Sequence, residues 1–280
     1  MPRSQRSEVG GERFEGDVDT EVNGTQAVDG NRADDRASTG IRGLDDILEG
    51  GFPANRCILL SGEPGTGKSI FGLQFLAAGI AVGQPGVCVS VDQKPQHLLN
   101  DASRFGWNLD AAVSVGMLTV LDASPYFTAT RNKTKNAVPI DARSIATDLS
   151  NQVRRIGAKR LVIDSLTSLV PPDMSRSEAH DYLRSVVLSL EDNMGCTVLL
   201  TSRAGSPGDP QALCEAAEYL VSGIIELKVR KAGWSFVRTL FVKKMRGTAI
   251  EPEEYSFQID AKGGLYVLER TRSMAPPSVG

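Results

Sequence analysis

The feature that most constrains the fold of this chain is the segment GEPGTGKS, residues 62–69. It fits the pattern G-x-x-x-x-G-K-[ST] of a phosphate-binding loop. Such a loop needs a strand before it and a helix after it. The apolar run RCILLS precedes the segment, and a helical pattern begins at Lys68. The segment therefore predicts a P-loop, and with it a sheet whose strands are connected by helices.

The residues of this loop have separate predicted roles in binding ATP. Gly65 and Gly67 let the backbone curl so that successive N–H groups point at phosphate oxygens, and the following helix N-terminus favours the anion. Lys68 would neutralise β- and γ-phosphate oxygens, and the Ser69 hydroxyl would bind Mg²⁺. The predicted nucleotide-binding residues in this segment are Gly62, Gly65, Thr66, Gly67, Lys68, Ser69 and Ile70.

A carboxylate on a second strand would complete the metal site. The run RLVIDS predicts a buried strand from which Asp164 emerges, as the acid of a Walker B strand does. The alternative is an ordinary aspartate at a strand end. We predict Ser69 and Asp164 as the Mg²⁺ ligands.

Short apolar runs alternate with helical patterns along the middle of the chain. RCILLSG is followed by KSIFGLQFLAAGIAV, and GVCVSVD by PQHLLNDASRFG. This alternation predicts an α/β fold with a mostly parallel, twisted sheet flanked by helices. After about residue 220, IIELKVRKAGWSFVRTLFVKKMRG alternates apolar and charged residues around an Ala-Gly turn, which predicts a C-terminal antiparallel hairpin.

Composition divides the chain into a domain and two tails. The 280 residues are 41% hydrophobic and 23% charged, which is enough for one sizeable core. Residues 1–37 carry nine acids and five bases with little apolar periodicity, so we predict a disordered acidic tail. We expect one domain over residues 38–270 and a flexible tail over 271–280.

Charge and residue usage argue against several kinds of partner. The net charge is −3, and the segment SRAGSPGDPQALCEAAEY has one arginine and no lysine, so nucleic-acid binding is not expected. Four scattered cysteines without metal-ligand spacing predict buried thiols, and no apolar run suffices for a membrane helix, which favours a cytoplasmic protein. Trp107 and Trp234 are predicted to pack against the protein rather than to stack on bases.

Three segments resemble KaiC-type domains of the RecA superfamily in order and spacing, over about residues 38–270. They are STGIRGLDDILEGGFPANRCILLSGEPGTGKSIFGLQFLAAGI, VIDSLTSLV and KKMRGTAIEPEEYSFQI. The resemblance implies a RecA-like core that assembles into rings, usually hexamers, with ATP between adjacent subunits. It also implies that the K-x-R-G-T element, here Lys244, Arg246 and Thr248, reaches the neighbour's triphosphate like an arginine finger. The alternative for this cluster is a solvated basic end of an edge strand.

The chain departs from the family after the second strand of the core. The family usually has two glutamates there, of which the first positions and deprotonates the attacking water, whereas this chain has Asp92 and Gln93. Aspartate is one methylene shorter, and a misplacement of roughly 1 Å can cost about a hundredfold in rate. We therefore predict slow hydrolysis, with Asp92, Gln93, Lys244 and Arg246 as the catalytic residues. The resemblance aligns Glu218 and Tyr219 with adjacent Ser and Thr residues that are autophosphorylated in one two-domain member of the family, so autokinase activity is not expected.

These observations predict an oligomeric, slowly hydrolysing ATPase that acts as a regulatory switch. Two alternatives remain open at this point. One is a recombinase-like ATPase that binds DNA, and the other is a nucleotide-dependent scaffold that does not hydrolyse ATP.

Overall fold

The computed structural model describes residues 36–123, 142–170, 174–204 and 215–268. The helices are α1 Leu44–Ile47, α2 Lys68–Ala81, α3 Pro95–Arg104, α4 Leu109–Ser114, α5 Ala142–Ile156, α6 Arg176–Asn193 and α7 Glu215–Leu220. The strands are β1 Arg36–Ala37, β2 Phe52–Pro53, β3 Cys57–Gly62, β4 Gly86–Ser90, β5 Leu118–Asp122, β6 Arg160–Asp164, β7 Thr197–Arg203, β8 Gly223–Ala232, β9 Ser235–Met245, β10 Glu254–Asp260 and β11 Gly264–Val267.

A nine-stranded mixed sheet organises the molecule, with the strand order β11-β10-β9-β8-β3-β7-β6-β4-β5. The strands from β8 to β5 in this order are parallel to one another. Strands β9, β10 and β11 continue the sheet in antiparallel fashion. This arrangement confirms the predicted α/β class and the antiparallel extension.

Helices cover both faces of the parallel strands, and this explains why β3 and β4 are buried along their whole length. Alternate residues of β3 face opposite sides, so Ile58 and Leu60 join one core while Cys57 and Leu59 join the other. The first core contains Phe71 and Phe75 of α2, and the second contains the inner faces of α5 and α6. The inner face of α6 is buried, with four residues at most 1% exposed: Leu183, Val186, Val187 and Leu190.

The hairpin formed by β8 and β9 closes through a two-residue turn at Gly233 and Trp234, since Ala232 pairs with Ser235. The expectation that both tryptophans pack is half right. Trp107 packs against the first core and stacks on Phe105, with 4.9 Å between ring centroids. Trp234 is fully exposed, because the hairpin extends five residues beyond the last pair that β8 makes with β3.

Arg160 at the start of β6 is a buried charge, 2% exposed. Its guanidinium donates to the carbonyl oxygens of Ser38 (2.7 Å) and Phe75 (2.6 Å) and to Oε1 of Gln84 (3.0 Å). Burial lowers the pKa of Arg160 to about 10, and Asp45 opposes that shift. Arg160 therefore fastens the segment before α1 to α2 and to the central sheet.

Some sequence predictions concern residues that the structure does not describe. Residues 36 and 37 of the predicted acidic tail form β1, which pairs with β2, whereas the rest of that tail and residues 269–280 lie outside the described ranges. Cys57, Cys88 and Cys196 are buried free thiols, as predicted, and Cys214 lies outside the described residues. Within the described ranges, no helix is long and apolar enough to cross a membrane.

Candidate nucleotide-binding site

The predicted P-loop connects the end of β3 to the start of α2. Gly65 and Gly67 have φ values of 80° and 110°, which side chains rarely adopt. A Cβ at Gly67 would lie 2.8 Å from Cδ1 of Ile259, whereas a Cβ at Gly65 would project into open space. Thr66 is buried, and its hydroxyl donates to the carbonyl oxygen of Glu63 at 2.8 Å. The loop backbone is therefore already curled, and the space beside Gly65 is open.

The Lys68 side chain points back toward the start of this loop. Its ammonium donates to the carbonyl oxygens of Gly62 (2.7 Å) and Glu63 (3.0 Å). Burial lowers the pKa of Lys68, while the charges of Asp164 and Glu63 oppose that shift. A triphosphate in the loop would supply anionic oxygens for this partly desolvated cation.

Asp164 lies at the end of β6, and β7 separates this strand from β3. The hydroxyl of Thr201 donates a hydrogen bond to Oδ1 of Asp164. Ser69 lies in the first turn of α2, directly after Lys68 in the chain. Hydroxyl, carboxylate and phosphate oxygens suit Mg²⁺, which takes few protein ligands when it accompanies a nucleotide. Among the described residues, no group of three or more His, Cys, Asp or Glu could hold a metal by itself.

Asp92 follows β4, the neighbour of β6, and the register pairs Ser90 with Asp164. Its Oδ2 accepts hydrogen bonds from Ser168 Oγ at 2.7 Å and from Ser165 Oγ at 3.4 Å. The Gln93 carbonyl oxygen accepts from Ser90 Oγ at 2.6 Å, and its side chain is exposed. Asp92, Asp164 and the P-loop thus share the edge of the sheet where β3, β4, β6 and β7 end, which we call the site edge.

The K-x-R-G-T element lies at the opposite edge of the same sheet. Leu227 of β8 pairs with Gly62, whereas the amide of Arg246 donates to the carbonyl oxygen of Ser222. Five residues of β8 separate these two levels, which is about 17 Å along a strand. Two steps across the sheet, from β3 to β8 and from β8 to β9, add to that distance. Arg246 therefore cannot reach the P-loop of its own chain.

Lys244 and Thr248 have partners within their own chain. The Lys244 ammonium donates to carbonyl oxygens at the end of α7, of which that of Val221 is nearest at 2.7 Å. Burial and the charge of Arg246 lower the pKa of Lys244. The Thr248 hydroxyl accepts from Arg36 at 2.6 Å. Arg246 is exposed, and its guanidinium donates a long hydrogen bond of 3.5 Å to the carbonyl oxygen of Tyr219.

A family model described as "ATPase: KaiC" matches residues 37–272. The chain belongs to the KaiC family of ATPases. A UPF0273 protein of Thermotoga maritima is 37% identical over 81% of this chain and 94% of its own length. The circadian clock oscillator protein KaiC of Thermostichus vulcanus is 31% identical over 79% of this chain but 42% of its own length. A crystal structure of a KaiC-like protein from Pyrococcus horikoshii superposes with a TM-score of 0.70, at 28% identity, over 83% of this chain and 98% of that one.

KaiC-family membership confirms several sequence-based conclusions. The chain is a single KaiC-type domain with the RecA-like fold, and it is a nucleotide-binding protein of an ATPase family. The structure brings Asp92, Asp164 and the P-loop to one edge and leaves Lys244, Arg246 and Thr248 at the other. The individual roles predicted for these residues remain predictions.

Sequence reasoning missed two residues of β7 and the serines that hold Asp92. Arg203 pairs in register with Gly62, and its charge contributes to the lowered pKa of Lys68. Because side chains alternate along a strand, Arg203 projects on the same face as Thr201, which contacts Asp164. The alternation of side chains along TVLLTSR places Thr201 and Arg203 on one face. That pattern points to the site only once β7 is known to lie between the P-loop strand and the Asp164 strand.

Proposed function

We propose that this KaiC-family protein binds ATP with Mg²⁺ on its P-loop and hydrolyses it slowly, at a site completed by Arg246 of a second copy. The observation that carries the proposal is the separation of the two motifs to opposite edges of one sheet. Arg246 is an exposed cation that cannot reach its own P-loop, so a nucleotide it contacts must belong to another chain. The resulting assembly is head-to-tail, as in the rings that the family resemblance implies.

The residues at the site edge suit an in-line attack of water on the γ-phosphate. The Asp92 carboxylate would orient the water and accept its proton as the oxygen–phosphorus bond forms and the bond to ADP breaks. Lys68 and Arg203 of the same chain, with Arg246 of the neighbour, would stabilise the charge on the transferring oxygens. Ser69 and Asp164 would hold Mg²⁺, which would supply positive charge to neutralise part of the phosphate charge.

The surroundings of Asp92 support slow rather than fast turnover. Its carboxylate is held by Ser168 and Ser165, which belong to the turn after β6, so it is drawn toward the sheet. It is also one methylene shorter than the family's glutamate, and Gln93 supplies no second negative charge. The serine contacts and the shorter side chain each lower the fraction of bound states in which the base is within reach of the water.

Slow turnover suits a regulatory switch, because an ATP-bound assembly would then persist long enough for other proteins to distinguish it from the ADP-bound form. Within the proposed interface, Arg246 is the group that reaches the neighbour, while Lys244 anchors the element to α7. Autokinase activity stays outside the proposal, since Glu218 carries no hydroxyl and its carboxylate pairs with Lys243 at 2.5 Å.

The test measures phosphate release from ATP by the purified protein and by three single variants. We expect slow, Mg²⁺-dependent release by the wild type and none above background by Lys68→Ala or Arg246→Ala. Lys243→Ala is the matched control, because its cation lies on the same strand but pairs with Glu218 of its own chain. It should release phosphate within about twofold of the wild-type rate, since exposed pairs contribute little.

Mixing variants tests the shared site directly. An interface that takes its P-loop from an Arg246→Ala chain and its Arg246 from a Lys68→Ala chain is complete, so the mixture should regain activity. No recovery in mixed assemblies would contradict the shared site. Background-level release by the wild type would instead contradict hydrolysis and favour the nucleotide-dependent scaffold.

A further inference from the structure

Arg36 binds the loop that carries Arg246 to the start of the domain. Its Nη1 donates to Thr248 Oγ1 at 2.6 Å, and its Nη2 donates to the carbonyl oxygen of Gly247 at 2.7 Å. These two acceptors belong to the residues that directly follow Arg246. The two nitrogens of one guanidinium therefore hold the loop at two adjacent residues.

The other contacts of Arg36 fix this guanidinium to a second part of the chain. Nη1 also donates to the carbonyl oxygens of Leu48 and Gly51, both at 3.3 Å, and the Glu49 carboxylate lies 3.6 Å from Nη2. These residues form the turn between α1 and β2, and the pairing of β1 with β2 holds the Arg36 backbone beside them. The Arg36 side chain is 15% exposed, so its geometry is set by contacts rather than by solvent.

The Arg246 amide donates to the carbonyl oxygen of Ser222 at 2.8 Å, but the two residues that follow have little backbone support. Gly247 has a φ of 71°, and the Thr248 amide makes a single long bond of 3.3 Å to the carbonyl oxygen of Met245. Lys244 fixes one side of Arg246 to α7, and Arg36 fixes the other side to the α1–β2 turn. A planar, forked guanidinium can hold two acceptors in a fixed relation, which an ammonium cannot.

We propose that Arg36 is a positioning residue for the shared site: it acts through Arg246 on the nucleotide of the neighbouring chain, and not on the nucleotide of its own chain. This inference rests on the proposed function, because it assigns Arg36 to the same interface. Loss of the Arg36 contacts would let Arg246 shift by roughly 1 Å, a displacement that can lower a rate about a hundredfold. The turnover number should fall accordingly, and the KM for ATP should change less than about threefold, since the P-loop is untouched.

The first test measures backbone hydrogen exchange in the full-length chain and does not depend on hydrolysis. In Arg36→Gln, the amides of residues 246–249 should exchange about tenfold faster or more, while those of residues 65–69 keep their wild-type rates. Glu49→Gln is the matched control, because it removes the charged partner of Arg36 but leaves its four hydrogen bonds. Unchanged exchange at residues 246–249 in Arg36→Gln would overturn the proposal.

The second test identifies the chain in which Arg36 acts. Mixed with Lys68→Ala, Arg36→Gln should recover activity, because its intact P-loop then meets an intact Arg246 loop. Mixed with Arg246→Ala, it should recover none, because both chains lack a functional Arg246 loop. The reverse pattern would mean that Arg36 serves its own P-loop, and recovery in neither mixture would mean a general loss of structure; both outcomes overturn the proposal.

Two further measurements cover an Arg36→Gln variant that does not fold and a wild type that does not hydrolyse ATP. If Arg36→Gln does not fold, Arg36→Lys retains the charge and the stem but not the fork, and the same mixing pattern is expected of it. If the wild type does not hydrolyse ATP, the hydrogen-exchange comparison of Arg36→Gln with Glu49→Gln decides the assignment, because it needs no turnover. The failure of hydrolysis is thereby separated from the failure of the Arg36 assignment.

Discussion

Two charged side chains, Asp92 and Arg160, illustrate how neighbours determine what a single residue can do here. Asp92 is exposed but tethered by two serine hydroxyls, so its reach is limited by its length and by its partners. Arg160 is buried, its guanidinium donates to three oxygen atoms, and the centroid of the Phe75 ring lies 4.5 Å from its Cζ. The first residue limits the proposed chemistry, and the second stabilises the fold.

Restoring the two acids should accelerate hydrolysis. The double variant Asp92→Glu with Gln93→Glu lengthens the base and returns the second carboxylate, so we expect phosphate release to rise by about tenfold or more. Asp92→Asn, which keeps the size but loses the base, should fall to the background of Lys68→Ala. A rate in the double variant that is equal to or below wild type would argue against a catalytic role for this strand end.

Replacing Arg160 should destabilise the domain strongly. Arg160→Leu leaves the carbonyl oxygens of Ser38 and Phe75 buried without this donor, and we expect the free energy of unfolding to fall by about 3 kcal/mol. Arg155→Leu, at an exposed position of α5, should change it by less than about 0.5 kcal/mol. Urea denaturation followed by circular dichroism measures both, and equal midpoints for the two variants would contradict the assigned role.

At the scale of the element, the apolar face of each helix determines how that helix packs. The helical patterns KSIFGLQFLAAGIAV and PQHLLNDASRFG were enough to predict α2 and α3, because a period near 3.6 does not depend on what the helix packs against. The β8–β9 hairpin was predicted from the alternation of apolar and charged residues, which is likewise a local pattern. Trp234 was predicted wrongly because alternation does not reveal how far a hairpin extends beyond its neighbouring strand.

Helix α6 offers a matched pair of leucines for testing its buried face. Leu183 is fully buried, whereas Leu188 is 40% exposed on the same helix. Leu183→Ala should lower the free energy of unfolding by about 2–5 kcal/mol through lost contacts and a cavity. Leu188→Ala should cost less than about 1 kcal/mol in the same denaturation experiment. Similar losses for the two variants would mean that α6 does not pack as described.

For the whole molecule, the fold and the P-loop could be predicted from sequence, but much of the site could not. The P-loop is contiguous, so its pattern carries its own geometry. Arg203, Ser168 and Arg36 act through contacts set by strand order and register, which no local pattern encodes. The position of Arg246 at the far edge likewise became visible only when β8 was aligned with both β3 and β9.

The buried thiols report on the integrity of the parallel sheet as a whole. Cys57 and Cys88 lie in β3 and β4, and Cys196 directly precedes β7. Burial raises the pKa of Cys88 and Cys196 to about 12, so the thiolate fraction of each at pH 8 is on the order of 10⁻⁴. Burial also raises the pKa of Cys57.

In a Cys214→Ser variant, we therefore expect the three remaining thiols to resist alkylation at pH 8 until the protein unfolds. Their reaction rates should coincide, because one cooperative opening exposes all three strands. ATP should slow the reaction if it binds the folded state. Rapid labelling of any one thiol in the native protein would contradict its burial.

The placement of the P-loop and Arg246 at opposite edges also gives the proposed assembly a countable property. A contact between unlike faces repeats from chain to chain and ends only when the last copy meets the first. A closed assembly then holds as many complete sites as chains, whereas an open row holds one fewer and keeps two unsatisfied ends. In an open row, a chain with Arg246 replaced would leave every site intact at the end where its Arg246 loop contacts no neighbour. At the other end it would disable one site. The ratio of complete sites to chains would thus reveal whether the assembly has closed.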